Sequence, residues 1–254
     1  MRKADAKFPL LLQGVGRRIH RRLLFLYGGL CASLFLFLSA CSSDSYDSGD
    51  GKYSYLTIDL VDAHSTDAPT IDYALTDQGD TLFFSSPIGA TWATRPDSIY
   101  RALLYYYNNV SQEPVEAIAV SQVPVLRPQV GADSIGVDPL GYESGWVSST
   151  GKWLNLRLTL KTGQEEGVDE RQVLGLTCDS VKQFFSGSTT YYLTLRHNQN
   201  GVPEYYSTSV YVSIPVADVL SITETESGTN SPDSAHVVLD IPTDNGLRRI
   251  KFPL

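Results

Sequence analysis

The residue best suited to chemistry in this sequence is Cys41, which lies where the composition changes sharply. An apolar run ends just before the small residues Ser39 and Ala40, and the sequence after Cys41 is acidic and rich in serine. Small residues precede the cleavage sites of exported proteins, so a signal peptidase would find a suitable bond here. The thiol of Cys41 is therefore the first candidate site of chemistry, and cleavage before it is the first candidate event.

The residues before Cys41 divide into a basic and an apolar segment. Residues 17–22 read RRIHRR, and residues 23–38 are apolar with two glycines in their midst, a run short for the roughly 20 residues that span a bilayer. This order predicts a signal peptide over residues 1–40. An uncleaved membrane-anchoring helix is the alternative. The paired arginines also permit a twin-arginine export signal, although the residues after Arg22 match that signal poorly.

The tetrapeptide Leu38-Ser39-Ala40-Cys41 resembles the lipobox of bacterial lipoproteins. The resemblance implies transfer of a diacylglyceryl group to the Cys41 thiol, cleavage before Cys41 and acylation of the new amino terminus. Several acyl chains, at about 0.8 kcal/mol per buried CH₂, hold a protein on a membrane essentially permanently. We therefore expect lipidation of Cys41 and a membrane partner reached through that lipid.

Residues 41–52 predict a solvated tether, because Ser, Asp and Gly without apolar periodicity cannot bury a surface. Asp44, Asp47 and Asp50 recur every third residue, but the closing glutamate of a calcium loop does not follow. Acidic residues just after the lipidated cysteine resemble the surface-export signal of Bacteroidetes lipoproteins. That resemblance implies the outer face of the outer membrane, with the periplasmic face as the alternative.

The charge of the chain beyond the leader is strongly negative. Seven of the 20 Lys and Arg residues but one of the 28 Asp and Glu residues lie in residues 1–40, so residues 41–254 carry a formal charge of −14. This balance argues against nucleic acid as a partner and against adsorption to anionic lipid.

The cysteines predict no intramolecular disulfide. Once Cys31 leaves with the leader and Cys41 carries lipid, Cys178 has no cysteine left to pair with. The strand-like residues around Cys178 predict that its side chain is a small buried hydrophobe.

Residues 53–128 predict a small closed β-barrel of the OB type, because five short strand-like segments follow one another with turn residues between them. Aromatic side chains of such barrels often stack on nucleic-acid bases, but the basic residues here are few, which favours packing in the core and rim. The segments are 53–62, 71–77, 81–84, 98–107 and 115–125; the aromatics are Tyr73, Phe83, Phe84 and Tyr105 to Tyr107; the basic residues are Arg95, Arg101 and Arg127.

Residues 138–254 predict an antiparallel β-sandwich without helices. The clearest pattern is 153–162, where leucines alternate with Asn155, Arg157 and other polar residues at period two. The chain is therefore expected to be all-β, an OB-like β-barrel followed by an antiparallel β-sandwich. Further strands are predicted at 172–178, 191–197, 205–214, 236–241 and 247–252, with turns at Asn200-Gly201 and at Asp244-Asn245-Gly246.

The chain from Cys41 onward resembles the NigD-like lipoproteins of Bacteroidales. The resemblance implies an N-terminal OB-like domain and a C-terminal β-sandwich, and the association of the family name with a bacteriocin gene cluster implies a role in immunity or secretion. The residues that carry it are the lipobox at Cys41, Trp153 to Arg157, Leu195 to Gly201 with Pro203-Glu204, and Val210 to Ile214.

Motifs for catalysis and for metal binding are absent from the sequence. His197 lies beside an Asn-Gly turn, which favours a hydrogen-bonded corner residue, and His64 and His236 lack the spacing of metal ligands. Ser144 in GYESG is one place off the nucleophile-elbow pattern. The sequence therefore predicts neither an enzyme nor a cofactor or metal site.

These observations predict a non-catalytic binding or interaction module held at the cell surface by lipid. One alternative is bacteriocin immunity or secretion, for which a basic peptide would suit the acidic charge. Another is carbohydrate or nutrient binding through exposed aromatics such as Trp92, Trp146 or Tyr106. A third is a structural partner of an outer-membrane complex.

Overall fold

The computed structural model describes residues 55–108, 114–131, 135–167, 169–185, 187–227 and 234–254. Cys41, the predicted signal peptide over residues 1–40 and the predicted tether lie outside the described residues. Strands dominate the described chain, which confirms the predicted all-β class. The elements are β1 (Leu56–Ser65), β2 (Thr70–Thr76), β3 (Thr81–Gly89), β4 (Ser98–Tyr107), β5 (Glu116–Gln122), β6 (Pro128–Val130), β7 (Gly141–Val147), β8 (Trp153–Thr162), β9 (Val173–Gln183), β10 (Ser188–Asn198), β11 (Tyr206–Pro215), α1 (Val216–Ser227), β12 (Ser234–Thr243) and β13 (Gly246–Pro253).

The first five strands form one curled sheet in the order β3-β2-β1-β4-β5. Its two edge strands meet through a parallel bridge between Phe84 and Val115. The Val115 N–H donates to the Phe83 carbonyl at 2.8 Å, and the Val115 carbonyl accepts from the Ser85 N–H at 2.9 Å. A five-stranded sheet whose first hairpins pair in sequence and whose third strand meets the fifth in parallel is an OB-like barrel, as the sequence predicts.

The barrel interior combines small side chains with larger ones. Ala63, Ala74, Ala93 and Ala102 are each fully buried there. Small residues are expected in a five-stranded barrel because little room remains at its axis once Leu104 and Ile71 are placed.

The later strands form a sandwich of two sheets, ordered β13-β12-β10-β9-β6 and β11-β8-β7. The predicted alternation of β8 is present, since its leucines are buried between the sheets. In the larger sheet the pairs β10–β12 and β6–β9 are parallel, and the other pairs are antiparallel. The fully buried core residues are Leu154, Leu156, Leu158, Tyr191, Leu195, Val212, Ile214, Val237, Leu239 and Ile241.

The predicted turn at Asn200-Gly201 forms, but it joins strands of different sheets. Both residues have positive φ, 49° and 74°, and the Val202 N–H donates to the Gln199 carbonyl at 3.0 Å. The strand before the turn, β10, pairs with β9 and β12, whereas the strand after it, β11, pairs with β8. A turn pattern cannot distinguish a hairpin from a crossover, because in both cases the chain reverses and both strands bury an apolar face.

The expectation of no helix in this half is wrong, since α1 follows β11 directly. Val216 and Val219 are buried in the sandwich core, and Leu220 packs against it, at helical spacing. The sequence hides this helix because Val, Ser and Thr are poor helix formers, so tertiary packing decides its conformation. Within the described ranges, no helix has the length and apolar character needed to cross a membrane.

Candidate functional site

His197 is structural, as its position beside the Asn-Gly turn predicts. Its side chain is 1 % exposed, and its two ring nitrogens lie 3.2 Å from the Asp138 carbonyl and 3.1 Å from Gln172 Oε1. Both ring nitrogens therefore have partners within the protein. Cys178 is also buried in the sandwich core.

Arg196 points to the opposite face of β10 and lines a cavity of about 410 Å³. Its Nε donates to Thr177 Oγ1 at 3.1 Å, and Asp179 is held by Thr194 Oγ1 at 2.5 Å. The cavity is thus lined by an arginine and an aspartate that each hydrogen-bond to a neighbouring threonine. Its lining residues are Val137, Asp179, Thr194, Arg196, Pro242, Thr243, Gly246 and Leu247.

A buried polar network joins the barrel to the sandwich around Arg101. The Arg101 guanidinium donates to Asp77 Oδ2 at 2.8 Å, to Asn155 Oδ1 at 3.0 Å and to Ser213 Oγ at 3.0 Å. The Asn155 amide donates to the same Asp77 oxygen at 2.7 Å. Hereafter we call Arg101, Asp62, Asp77, Asn155 and Ser213 the junction network.

The edge of the junction network is closed by an indole ring. Trp153 Nε1 donates to Asp62 Oδ1 at 3.0 Å, and Arg101 Cζ lies 4.7 Å from the centre of the Trp153 ring. Arg101 Nη1 lies 3.3 Å from the same Asp62 oxygen. Because every member donates or accepts within the network, it fits a structural link better than a reactive site. Sequence reasoning missed it, since the sequence pattern places Asn155 on the polar side of a strand and shows Arg101 only as one of the few basic residues.

The outer face of the barrel carries a row of side chains that runs across four strands. We call Phe83, Tyr73, His64 and Ile99, from β3, β2, β1 and β4, the barrel row; adjacent members are paired in strand register. His64 stacks on Tyr73 with ring centroids 4.3 Å apart, and Tyr73 lies 5.9 Å from Phe83. The ends of the row are open to solvent, with Phe83 60 % and Ile99 62 % exposed.

The electrostatic surroundings of the barrel row keep its histidine neutral. Burial lowers the pKa of His64, Asp62 acts to raise it, and Lys152 lowers it further. A neutral imidazole stacked between apolar side chains leaves the row without formal charge near neutral pH. The row is therefore an apolar surface on a strongly acidic protein.

The aromatic residues singled out from the sequence differ in how exposed they are in the structure. Tyr106 is buried and donates a 2.8 Å hydrogen bond to Asp59, and Phe84 is buried in the barrel core. Trp92 is half-buried and packs edge-on against Tyr100. Trp146, in contrast, is 38 % exposed. Of the three aromatics considered for carbohydrate binding, Trp146 alone offers an exposed ring.

Trp146 belongs to a cluster on the outer face of the three-stranded sheet. Its ring lies 6.5 Å from Tyr211 at an interplanar angle of 81°, and Arg157 Cζ lies 5.7 Å from the Tyr211 ring. Arg157 Nε forms an ion pair with Glu143 Oε2 at 2.8 Å. We call Glu143, Arg157, Tyr211 and Trp146 the sheet cluster.

The part of the chain that the structure describes holds no grouping of three or more His, Cys, Asp or Glu side chains able to ligate a metal.

Comparison with protein families and solved structures agrees with this architecture. Residues 122–231 match the model of the NigD-like C-terminal beta sandwich domain, which confirms the resemblance drawn from the sequence. No curated protein is similar enough to match.

Three solved structures share the fold at low sequence identity. A NigD-like immunity protein from Bacteroides caccae is 20% identical, with a TM-score of 0.55 over 77% of this chain and 90% of its own. A candidate toxin-related protein from Parabacteroides distasonis is 16% identical, with a TM-score of 0.55 over 78% and 93%. A candidate lipoprotein from Bacteroides fragilis is 12% identical, with a TM-score of 0.57 over 78% and 97%.

Proposed function

We propose that this NigD-like protein is a lipid-anchored, non-catalytic module of the outer membrane that binds a protein partner through the barrel row. The observation that carries the proposal is the exposure of Phe83 and Ile99 at the two ends of a stacked, uncharged row. Interface centres are enriched in aromatic side chains and depleted in charge, and a contiguous exposed apolar patch often marks an interaction site.

The barrel row is also preorganised for binding. Its members lie on paired strands of a closed sheet, so the backbone positions are fixed before a partner arrives. The stacked rings of His64 and Tyr73 leave little side-chain freedom to lose. Binding then loses less conformational entropy than it would on a loop.

The anchor proposal depends on Cys41 and on the tether that follows it. A chain from Cys41 to β1 has about 14 residues and can reach roughly 45 Å when extended. A lipid on Cys41 would therefore hold the barrel close to the membrane while leaving its surfaces accessible. The acidic tether supports the outer face of the outer membrane as the location, and the Bacteroides fragilis relative described as a candidate lipoprotein is compatible with the anchor.

A second candidate function is immunity to a bacteriocin. It is favoured by the name of the Bacteroides caccae relative and by the formal charge of −14 over residues 41–254, which would attract a basic toxin. In this case the partner at the barrel row would be the toxin itself.

The barrel row is tested by site-specific photo-crosslinking in cells of the native strain. A benzoylphenylalanine residue at position 83 or 99 is expected to give a discrete crosslinked protein, whereas the same residue at Val130, which is 71 % exposed elsewhere, gives none. Absence of an adduct from both row positions, or the same adduct from Val130, contradicts the proposal.

The immunity candidate is tested by deleting the gene and challenging the strain with bacteriocins from related strains. Immunity predicts new sensitivity to one toxin, restored to resistance by the wild-type gene but not by F83S/I99S. A deletion strain with unchanged sensitivity rules out immunity and leaves the crosslinking experiment as the test of the first proposal.

The anchor is tested separately by mass spectrometry of the protein and of Cys41→Ala. The wild-type protein is expected to begin at Cys41 and to carry acyl chains, and Cys41→Ala is expected to retain its leader and to lose the lipid. An unmodified Cys41 contradicts the anchor.

A further inference from the structure

A β-bulge places Glu143 at the centre of the sheet cluster. In the pairing of β7 with β8, Tyr142 is opposite Leu158 and Ser144 is opposite Arg157, so Glu143 has no partner in the register. A bulge of this kind re-aims one side chain and is often found beside functional sites. Here it turns Glu143 across the sheet toward β8 and β11.

The carboxylate of Glu143 is held by two hydrogen bonds and one ion pair from those two strands. Thr159 Oγ1 donates to Glu143 Oε1 at 2.7 Å, Ser209 Oγ donates to the same oxygen, and Arg157 Nε lies 2.8 Å from Oε2. The hydrogen bonds from Ser209 and Thr159 lower the pKa of Glu143, with a smaller contribution from the charge of Arg157. The group is therefore an ionised acceptor with a fixed orientation.

Arg157 approaches Glu143 through Nε as an ion pair that lacks hydrogen-bond geometry, which leaves its outer nitrogens available. Its side chain is 43 % exposed, and within the described ranges neither Nη1 nor Nη2 has a hydrogen-bond partner. The rings of Tyr211 and Trp146 lie beside these outer nitrogens, nearly perpendicular to each other. A purely structural ion pair would need neither the free donor edge nor the exposed indole.

From this arrangement we infer that the sheet cluster is a binding site for a pyranose ring of a neutral glycan. The apolar face of the sugar stacks on Trp146, one of two adjacent hydroxyls accepts a hydrogen bond from Arg157 Nη, and the other donates to Glu143 Oε2. Hydrogen bonds to charged groups are about twice as strong as neutral ones, so two of them fix the orientation of the ring. An aromatic wall with a few directed polar groups is the usual composition of a small-ligand site.

The charge of the site selects a neutral sugar over an acidic one. Arg157 and Glu143 neutralise each other, and the formal charge of −14 over residues 41–254 repels uronates and sialates. Because the site lies on a flat sheet, one ring buries a small area, and we expect millimolar affinity for a single subsite. The inference does not depend on the barrel row, which lies on another sheet.

The test is isothermal titration of the full chain in an amine-oxide detergent, since sugar-based detergents would compete. The ligands are cellohexaose, mannohexaose, xylohexaose and chitohexaose, each at about 10 mM, where a millimolar site is nearly filled. At least one is expected to bind. Trp146→Ala is expected to weaken that binding at least about tenfold, as loss of a central aromatic does in other sites. Arg157→Lys keeps the positive charge but loses the paired N–H donors of the guanidinium, and is expected to weaken binding about fivefold.

The matched control is Tyr206→Ala, which removes a 57 % exposed aromatic from β11 outside the sheet cluster. Tyr206→Ala is expected to bind as the wild type does, and the urea midpoint of each variant verifies that it is folded. Failure of all four oligosaccharides to bind overturns the inference. Binding that survives Trp146→Ala, or that Tyr206→Ala weakens equally, also overturns it.

Discussion

Arg101 and Asn155 form a 3.0 Å hydrogen bond between two buried side chains that belong to different halves of the protein. Arg101 comes from β4 of the barrel, and Asn155 comes from β8 of the sandwich. Around this contact Asp77 and Ser213 complete the polar bonding of both side chains. Stability at the boundary between the halves therefore depends on a charge that cannot be solvated.

Arg101→Met is expected to lower the free energy of unfolding by about 3–5 kcal/mol, because it leaves Asp77 buried without its cation. Urea denaturation followed by circular dichroism measures the change. Arg249→Met is the matched control, since Arg249 pairs with Asp240 in two hydrogen bonds of 2.7 Å but its side chain is 67 % exposed. The control should cost at most about 1 kcal/mol. Equal effects of the two substitutions would contradict a special role for the junction network.

His64→Phe is expected to remove part of the acid sensitivity of the protein. The pKa of His64 is lowered in the folded state, chiefly by burial and further by Lys152, so unfolding takes up a proton as the pH falls below the ordinary histidine value of about 6.5. The stabilising effect is thus complete above that pH and is lost as the pH falls through the lowered pKa. Urea midpoints between about pH 7 and 5 should fall less for His64→Phe than for the wild type. Parallel curves would show that His64 does not titrate in this way.

Tyr106→Phe is expected to make the stability of the protein less sensitive to alkali. Burial raises the pKa of Tyr106, and its hydrogen bond to Asp59 and the charge of Asp59 raise it further. The folded state therefore keeps a proton that the unfolded chain releases near pH 10, and this stabilisation is present below that pH and is lost above it. At neutral pH the substitution should cost about 1 kcal/mol for the lost hydrogen bond. The fall of the urea midpoint between about pH 9 and 11 should be shallower in the variant, and an unchanged fall would refute the assignment.

Gly145→Ala is expected to destabilise the sandwich by overpacking. A Cβ on Gly145 would lie 2.9 Å from Leu156 Cδ2 and 2.9 Å from Phe252 Cζ, both in the packed core. Forcing extra volume into such a site costs about 1–3 kcal/mol. Gly89→Ala, where no atom lies within 4 Å of the new Cβ, should change stability by less than about 0.5 kcal/mol. Thermal denaturation of the two variants side by side makes the comparison.

The sequence predicts the two architectures because both depend on local patterns. The barrel segments 53–62 and 71–77 and the strand 153–162 alternate at period two, and that period reports which face is buried. It does not report what buries the other face. Asn155 lies on the polar side of β8 as predicted, yet it is fully buried because the barrel covers it. The period-two pattern within one strand carries no information about contacts with segments distant in the sequence.

The candidate sites show the same limit. In the run Leu82-Phe83-Phe84 the alternation indicates that one phenylalanine faces inward, and the structure places Phe84 inside and Phe83 outside. The barrel row and the sheet cluster, however, each combine residues from three or more strands, and the bulge that aims Glu143 shifts its register by one residue. Pairing partners and bulges arise from tertiary structure, so neither surface could be assembled from the sequence.

The junction network also affects how cooperatively the protein unfolds. If the barrel opened by itself, Asn155 and Ser213 would lose Arg101, and if the sandwich opened, Arg101 and Asp77 would lose the amide and hydroxyl that complete their bonding. Partial opening is therefore penalised from both sides, which favours a single calorimetric melting transition over two. Such cooperativity would deny a protease a half-open intermediate to cleave.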